Sequence, residues 1–146
     1  MISGLLLPAI LLLQTPVPAS KPVPKEGCIF CQIVAGTAPA KKVLENDQVL
    51  AFWDIKPRAK YHLLVIPKQH VASLADLVTL PPETKAALLD ACVEVARDCG
   101  IKEGGFRVIT NAGANASQSV FHLHFHVIGG EKLPEDAVRM KPETGR

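Results

Sequence analysis

The sequence predicts one domain that mixes short β-strands with a single main helix. Three observations carry this. The length, 146 residues, suits one domain and leaves little room for a second. Several short runs rich in β-forming residues are bounded by Gly, Pro, Asn or Asp. Only one long segment, Pro81 to Gly100, has apolar residues recurring at helical spacing. The composition, 48% apolar and 21% charged, is that of a globular chain rather than a disordered one. Sixteen Lys and Arg stand against 14 Asp and Glu with no basic run, which disfavours nucleic acid as a partner. Aromatic residues, at 5%, are too few for a stacking platform. No apolar run reaches the roughly 18 residues that span a bilayer, so no stable membrane span is expected.

Residues 1–19 resemble a secretory leader. Leu5 to Leu13 is apolar except for Pro8, and Val17-Pro18-Ala19 offers the small residues a signal peptidase reads. The charged start of such a leader is missing, and an ordered N-terminal arm is the other reading. Residues 20–27 are a Lys/Pro-rich linker. The domain proper is expected over 28–130, and 131–146 is a charged surface tail. Within the domain, Cys28 to Val34 is a turn or two of helix stopped by Gly36 and Pro39. Lys41 to Leu44 and Val49 to Ile55 form a hairpin around Glu45-Asn46-Asp47-Gln48, with Pro57 ending the second strand. His62 to Ile66 is a buried strand. Ser73 caps a short helix to Leu77. Pro81-Pro82-Glu83 opens the main helix, with Pro in the first turn and an acid at the positive end of the dipole. Its apolar positions are Leu88, Leu89, Cys92, Val93, Ala96 and Cys99, and Gly100 stops it. Cys92 and Cys99, about two turns apart, are too distant for a mutual bridge and read as buried small hydrophobes. Phe106 to Thr110 is a strand, Asn111 to Ser119 a polar loop, and Val120 to Ile128 the last strand.

That last strand carries the chemistry. His122, His124 and His126 alternate with Phe121, Leu123, Phe125 and Val127. In a strand this puts the imidazoles on one face and the apolar residues in the core. A solvated face would carry Thr, Lys, Glu or Ser instead. A three-His metal site is a further reading of the same row. The preceding loop ends in Gln118-Ser119. Its small residues and its amide and hydroxyl donors, Asn111 and Ser119 among them, suit close approach to an anion, although such a loop can also be an ordinary solvated turn. A neutral imidazole beside phosphate donors is a competent nucleophile towards phosphorus. Cys28 and Cys31 form a C-x-x-C that reads as a metal clamp, a redox pair or a disulfide.

His122-Leu123-His124-Phe125-His126-Val127-Ile128 resembles the signature of the histidine triad superfamily. Its surroundings resemble the nucleotide-binding Hint branch: Cys28-Ile29-Phe30-Cys31, Phe52-Trp53-Asp54-Ile55-Lys56-Pro57, His62 through His70, and Asn111 through Gly130. The resemblance implies an α+β fold, with an antiparallel sheet of about five strands, one main helix and a short helix, and a homodimer that joins two sheets. It implies hydrolysis of purine nucleoside 5′-phosphoramidates or related nucleoside phosphate conjugates. His124 would be the nucleophile and would carry the nucleotide. His126 and Ser119 would hold phosphate oxygens or the leaving group, with Asn111 and Gln118 supporting them and His62 fixing a tautomer. Asp54 would bind the ribose, and Phe30, Ile33, Phe52, Ile55 and Leu64 would line the base pocket of a nucleotide such as AMP. Any one of these apolar residues serves equally well as plain core.

The resemblance also implies a structural zinc on Cys28, Cys31, His70 and His122, with a Cys28–Cys31 disulfide as the alternative in an exported protein. Family members are mostly intracellular, so a cytoplasmic location follows from the resemblance and an exported one from the leader. Trp53 stands where the family commonly has His beside the ribose acid. The tail lacks a Trp-containing end found in some members. Competing readings are dinucleoside polyphosphate hydrolysis as in the Fhit branch, a non-catalytic nucleotide-sensing module, and a hydrolase using the three histidines as metal ligands. Gln118-Ser119-Val120 favours the Hint branch over Fhit.

Overall fold

A computed structural model describes residues 25–135. The leader read over 1–19, most of the linker and residues 136–146 of the tail lie outside the described residues. The elements are α1 (Ile29–Ala35), β1 (Lys42–Glu45), β2 (Val49–Trp53), β3 (Tyr61–Pro67), a 3-10 helix (Leu74–Thr79), α2 (Pro82–Asp98), β4 (Phe106–Ile109), a 3-10 turn (Ala114–Ala116) and β5 (Phe125–Gly129). The strands form one antiparallel sheet in the order β1-β2-β3-β5-β4, as the expected α+β fold requires.

Local chemistry explains the elements. Asn46 Oδ1 accepts from the backbone N–H of Gln48 and of Val49, both at 2.9 Å, which closes the β1–β2 hairpin. Ser73 and Asp76 form a capping box on the 3-10 helix. Pro82 and Glu83 open α2, and Gly100, in the left-handed region at φ 69°, turns the chain out of it. No helix among the described residues is long and apolar enough to cross a membrane.

The pleat sorts the core into two layers. Val49, Ala51, Leu63, Val65 and Val127 pack with Leu88, Cys92 and Val95 of α2. The alternate residues Leu50, Phe52, Leu64 and Ile66 pack with Phe30 and Ile33 of α1. His126 pairs with Leu64 in register, so it shares the α1 side of the sheet.

Four sequence expectations change. The second hairpin strand ends at Trp53, not Ile55. The buried stripe of α2 is Leu88, Ala91, Cys92, Val95 and Ala96, whereas Leu89 and Val93 are exposed. Cys92 is buried as read, but Cys99 is only half-buried. The last strand starts at Phe125, so His122 and His124 precede it and Phe121 is exposed rather than in the core. The reason is a shortage of ladder partners. Pro67 has no N–H to offer at the end of β3. The His122 N–H turns back to Val120 O at 2.9 Å, and the Leu123 N–H goes to Val71 O at 2.7 Å.

Candidate functional site

Residues 118–126 are held largely by side-chain bonds. Gln118 accepts from Gly113 N–H at 2.8 Å and donates to Ala72 O at 2.7 Å and Val120 O at 2.9 Å. Its amide is spent on shaping the loop. Thr110 Oγ1 donates to His124 O at 2.8 Å. These bonds set the path of the loop ahead of β5, and with it where the histidines point.

Two hydrogen bonds assign opposite roles to His124 and His126. His124 Nδ1 lies 2.7 Å from the carbonyl oxygen of His122, so Nδ1 carries the proton and donates it. The lone pair of a neutral His124 is then on Nε2. The second chain begins behind β3. Arg58 N–H donates to His62 Nδ1 at 3.2 Å, which leaves the His62 proton on Nε2. That Nε2–H points at His126 Nδ1, 2.8 Å away, so the His126 proton sits on Nε2. The Asp54 carboxylate lies at 3.4 Å from His62 Nε2 as a second, longer acceptor. The rings of His124 and His126 are 4.9 Å apart. One offers a lone pair and the other an N–H.

Both histidines line a cavity of about 530 Å³, within the range of small-molecule pockets. Of the residues read from the sequence, Phe30, Ile33, Phe52, Leu64, Asp54 and Ser119 line it as well. Ile55 stands at its rim, 90% exposed. His62, Asn111 and Gln118 are not on its wall: His62 is buried behind His126, and Gln118 braces the loop. Trp53 is on the other face of the sheet, 5.7 Å from Tyr61 and capped by Lys41, so its substitution does not reshape the cavity. Lys56 and Arg58 line the cavity and were missed. The signal was two cations in the short loop after Asp54, where an anion would be read. Asp54 Oδ1 accepts from Lys56 N–H at 2.8 Å, which fixes the carboxylate.

Burial keeps the histidines neutral. It is the first cause of the lowered proton affinity of His124 and His62. His126 is pushed down to about 3, by burial and then by the charges of His124, His62 and Arg58.

The third triad histidine faces away. His122 Nε2 donates to Pro67 O at 2.9 Å, so its Nδ1 lone pair is free. That atom is 3.2 Å from His70 Nδ1, 3.5 Å from Cys28 Sγ and 3.6 Å from Cys31 Sγ; Cys31 Sγ is 3.4 Å from His70 Nδ1. A tetrahedral zinc holding nitrogen at about 2.0 Å and sulfur at about 2.3 Å spaces two nitrogens about 3.3 Å apart, and nitrogen and sulfur about 3.5 Å. The four donors therefore fit a zinc of structural type, and both cysteines are free thiols. Lys25 N–H donates to Cys31 Sγ at 3.3 Å, as it would to a thiolate. Asp54, His62 and His126 form a second cluster of potential ligands. Its 2.8 Å N–N contact is a hydrogen-bond distance, shorter than the roughly 3.3 Å that two nitrogens of one tetrahedral zinc require. The three triad histidines do not converge as one ligand set, because His124 Nδ1 is bonded to backbone and His122 Nδ1 points into the cysteine cluster.

A five-stranded antiparallel sheet with two histidines on a cavity wall and a third in a metal-type cluster defines a histidine triad protein. The chain belongs to the HIT domain family, which matches residues 35–133. It is 46% identical to a HIT-like protein of Helicobacter pylori over 104 residues, 71% of this chain and 97% of that one. A HIT family hydrolase from Clostridium thermocellum superposes with a TM-score of 0.75 at 38% identity, covering 78% of this chain and 99% of the other. A histidine triad nucleotide-binding protein from Candida albicans gives a TM-score of 0.64 at 32% identity, covering 77% and 86%.

Proposed function

We propose that the protein is a hydrolase of purine nucleoside 5′-phosphoramidates or related nucleoside phosphate conjugates, acting through a nucleotide carried on His124. The observation that carries this is the pair of opposed tautomers on one cavity wall. His124 Nε2 supplies the lone pair that attacks phosphorus. His126 Nε2–H donates to a phosphate oxygen and stabilises charge as it builds. The P–N bond breaks with its electron pair on nitrogen, which takes a proton from water beside the Ser119 hydroxyl. Water then attacks phosphorus, the P–Nε2 bond breaks, and His124 recovers its lone pair. Phe30, Ile33, Phe52 and Leu64 give the base an apolar slot, and Asp54 accepts from the ribose hydroxyls. The names of the similar Clostridium and Candida proteins, a hydrolase and a nucleotide-binding protein, support the same reading.

Zinc on Cys28, Cys31, His70 and His122 would tie the start of α1 to the turn before β5 and take no part in the chemistry. A homodimer would form through β4, whose outer edge is unpaired in the sheet, and the exposed Leu89 and Val93 of α2. A working leader would make the protein an exported one. The test of the activity is release of AMP from adenosine 5′-phosphoramidate. Wild type should turn over and His124→Ala should not. Unchanged turnover in the variant would overturn the assignment.

A further inference from the structure

Cys28 and Cys31 stand one turn apart at the start of α1. Cys28 is the N-cap and Cys31 the third residue of the helix. An extended N-cap residue turns its side chain back over the first turn, towards that third residue. Cys28 has this backbone, at φ −83° and ψ 114°, and its side chain makes no capping bond. The two Sγ atoms belong to one cluster, in which every donor lies within 4.8 Å of the others. Residues three apart in a helical turn have Cα atoms about 5 Å apart, inside the range a disulfide spans.

The two thiols differ in access. Cys31 is 3% exposed, and Lys25 N–H donates to its sulfur at 3.3 Å. Cys28 is half-buried and borders a second cavity, of about 310 Å³, between the turn into α1 and the loop at Ser119 and Phe121. Phe121 is half exposed on its wall. The other three cysteines border neither this cavity nor that of the histidines. Cys92 is sealed under α2, its thiol pushed up to about 12 by burial. Cys99, about two turns from it, is beyond bridging distance.

We infer that Cys28 is a site of reversible oxidation by a hydroperoxide, with Cys31 as the thiol that resolves it. The Cys28 sulfur attacks the peroxide, the O–O bond breaks, and Cys28 is left as a sulfenic acid. The Cys31 sulfur then attacks the Cys28 sulfur, the S–O bond breaks and water leaves. The cysteines lose two electrons and two protons, and one hydrogen peroxide becomes two waters. The disulfide removes both sulfur donors from the cluster. His70 and His122 alone do not make a closed tetrahedral site. Metal binding and the disulfide are thus alternative states of the same cysteines. This stands apart from the hydrolase reading.

The test exposes the full-length, zinc-loaded protein to hydrogen peroxide. A chromogenic chelator follows zinc, and peptide mapping follows the thiols. Zinc release should keep step with a Cys28–Cys31 disulfide, and a dithiol with added zinc should reverse both. In Cys31→Ser, dimedone should trap a sulfenic acid on Cys28. In folded wild type an alkylating reagent should modify Cys28 about tenfold faster than Cys31 or Cys92, a comparison that needs no variant to fold. Cys31 modified first, a disulfide between other residues, or four thiols still reduced in excess peroxide would overturn the inference. If the protein takes up no zinc, the mapping of the thiols still decides it.

Discussion

Removing one cysteine of the four-donor cluster tests whether the donors serve a metal. Cys31 and His122 are 3% and 0% exposed while Cys28 and His70 are half-buried, and four of the six donor spacings match a tetrahedral ion within about 0.2 Å. An ion that binds only the folded chain stabilises it by about 4 kcal/mol when free metal is a thousandfold above its dissociation constant. A domain of this size loses about 3–5 °C of melting temperature per kcal/mol. Chelation, or Cys31→Ser, should therefore lower the melting temperature by about 12–20 °C and remove one zinc per chain. The assay is elemental analysis of the purified protein with thermal melts in zinc and in chelator. Activity per folded molecule should survive, since neither nitrogen of the reacting pair faces the cluster. Protein that carries no metal and melts identically in both buffers would refute the reasoning.

Further outcomes follow from the same geometry. Asp54→Asn should raise KM about tenfold for the ribonucleotide substrate and little for its 2′,3′-dideoxy analogue; an equal effect on both would remove Asp54 from the ribose. His126 is held near 3 in the folded chain and titrates near 6.5 when unfolded, so the unfolded state binds more protons between those values. Stability is full above about pH 6.5 and falls as pH drops through that window, by up to about 1.4 kcal/mol per pH unit for this group. Melts across the window should show a slope that His126→Asn reduces, and an unaltered slope in the variant would contradict the assignment. Leu89→Glu combined with Val93→Glu should turn a dimer into a monomer in sedimentation; a wild-type monomer would contradict the dimer.

The fold was legible because local signals agree with long-range ones. Asn46 closes the hairpin, Ser73 caps the 3-10 helix and Pro82 starts α2, each by a bond within a few residues. The apolar run Leu63 to Ile66 marked β3 as a buried strand, and the structure packs its alternate residues into two separate layers. The strand carrying the triad was over-read for a physical reason. The alternation His-Leu-His-Phe-His persists beyond the ladder, where Pro67 and the ring of His124 take over the bonding. Spacing placed all three histidines on one face. It could not show that His122 turns to the cysteines, because that depends on His70, 52 positions away. The resemblance gave Gln118 a place supporting the phosphate donors, and the structure spends its amide on the loop.

The central claim is that His124 Nε2 forms a bond to phosphorus. The direct measurement is intact mass of the protein quenched within a turnover of adenosine 5′-phosphoramidate, followed by peptide mapping. One adenylate per chain on the peptide bearing His124, absent from His124→Ala, is the expected result. Rapid AMP release with no adduct at any quench time, or an adduct on another residue, would contradict the account.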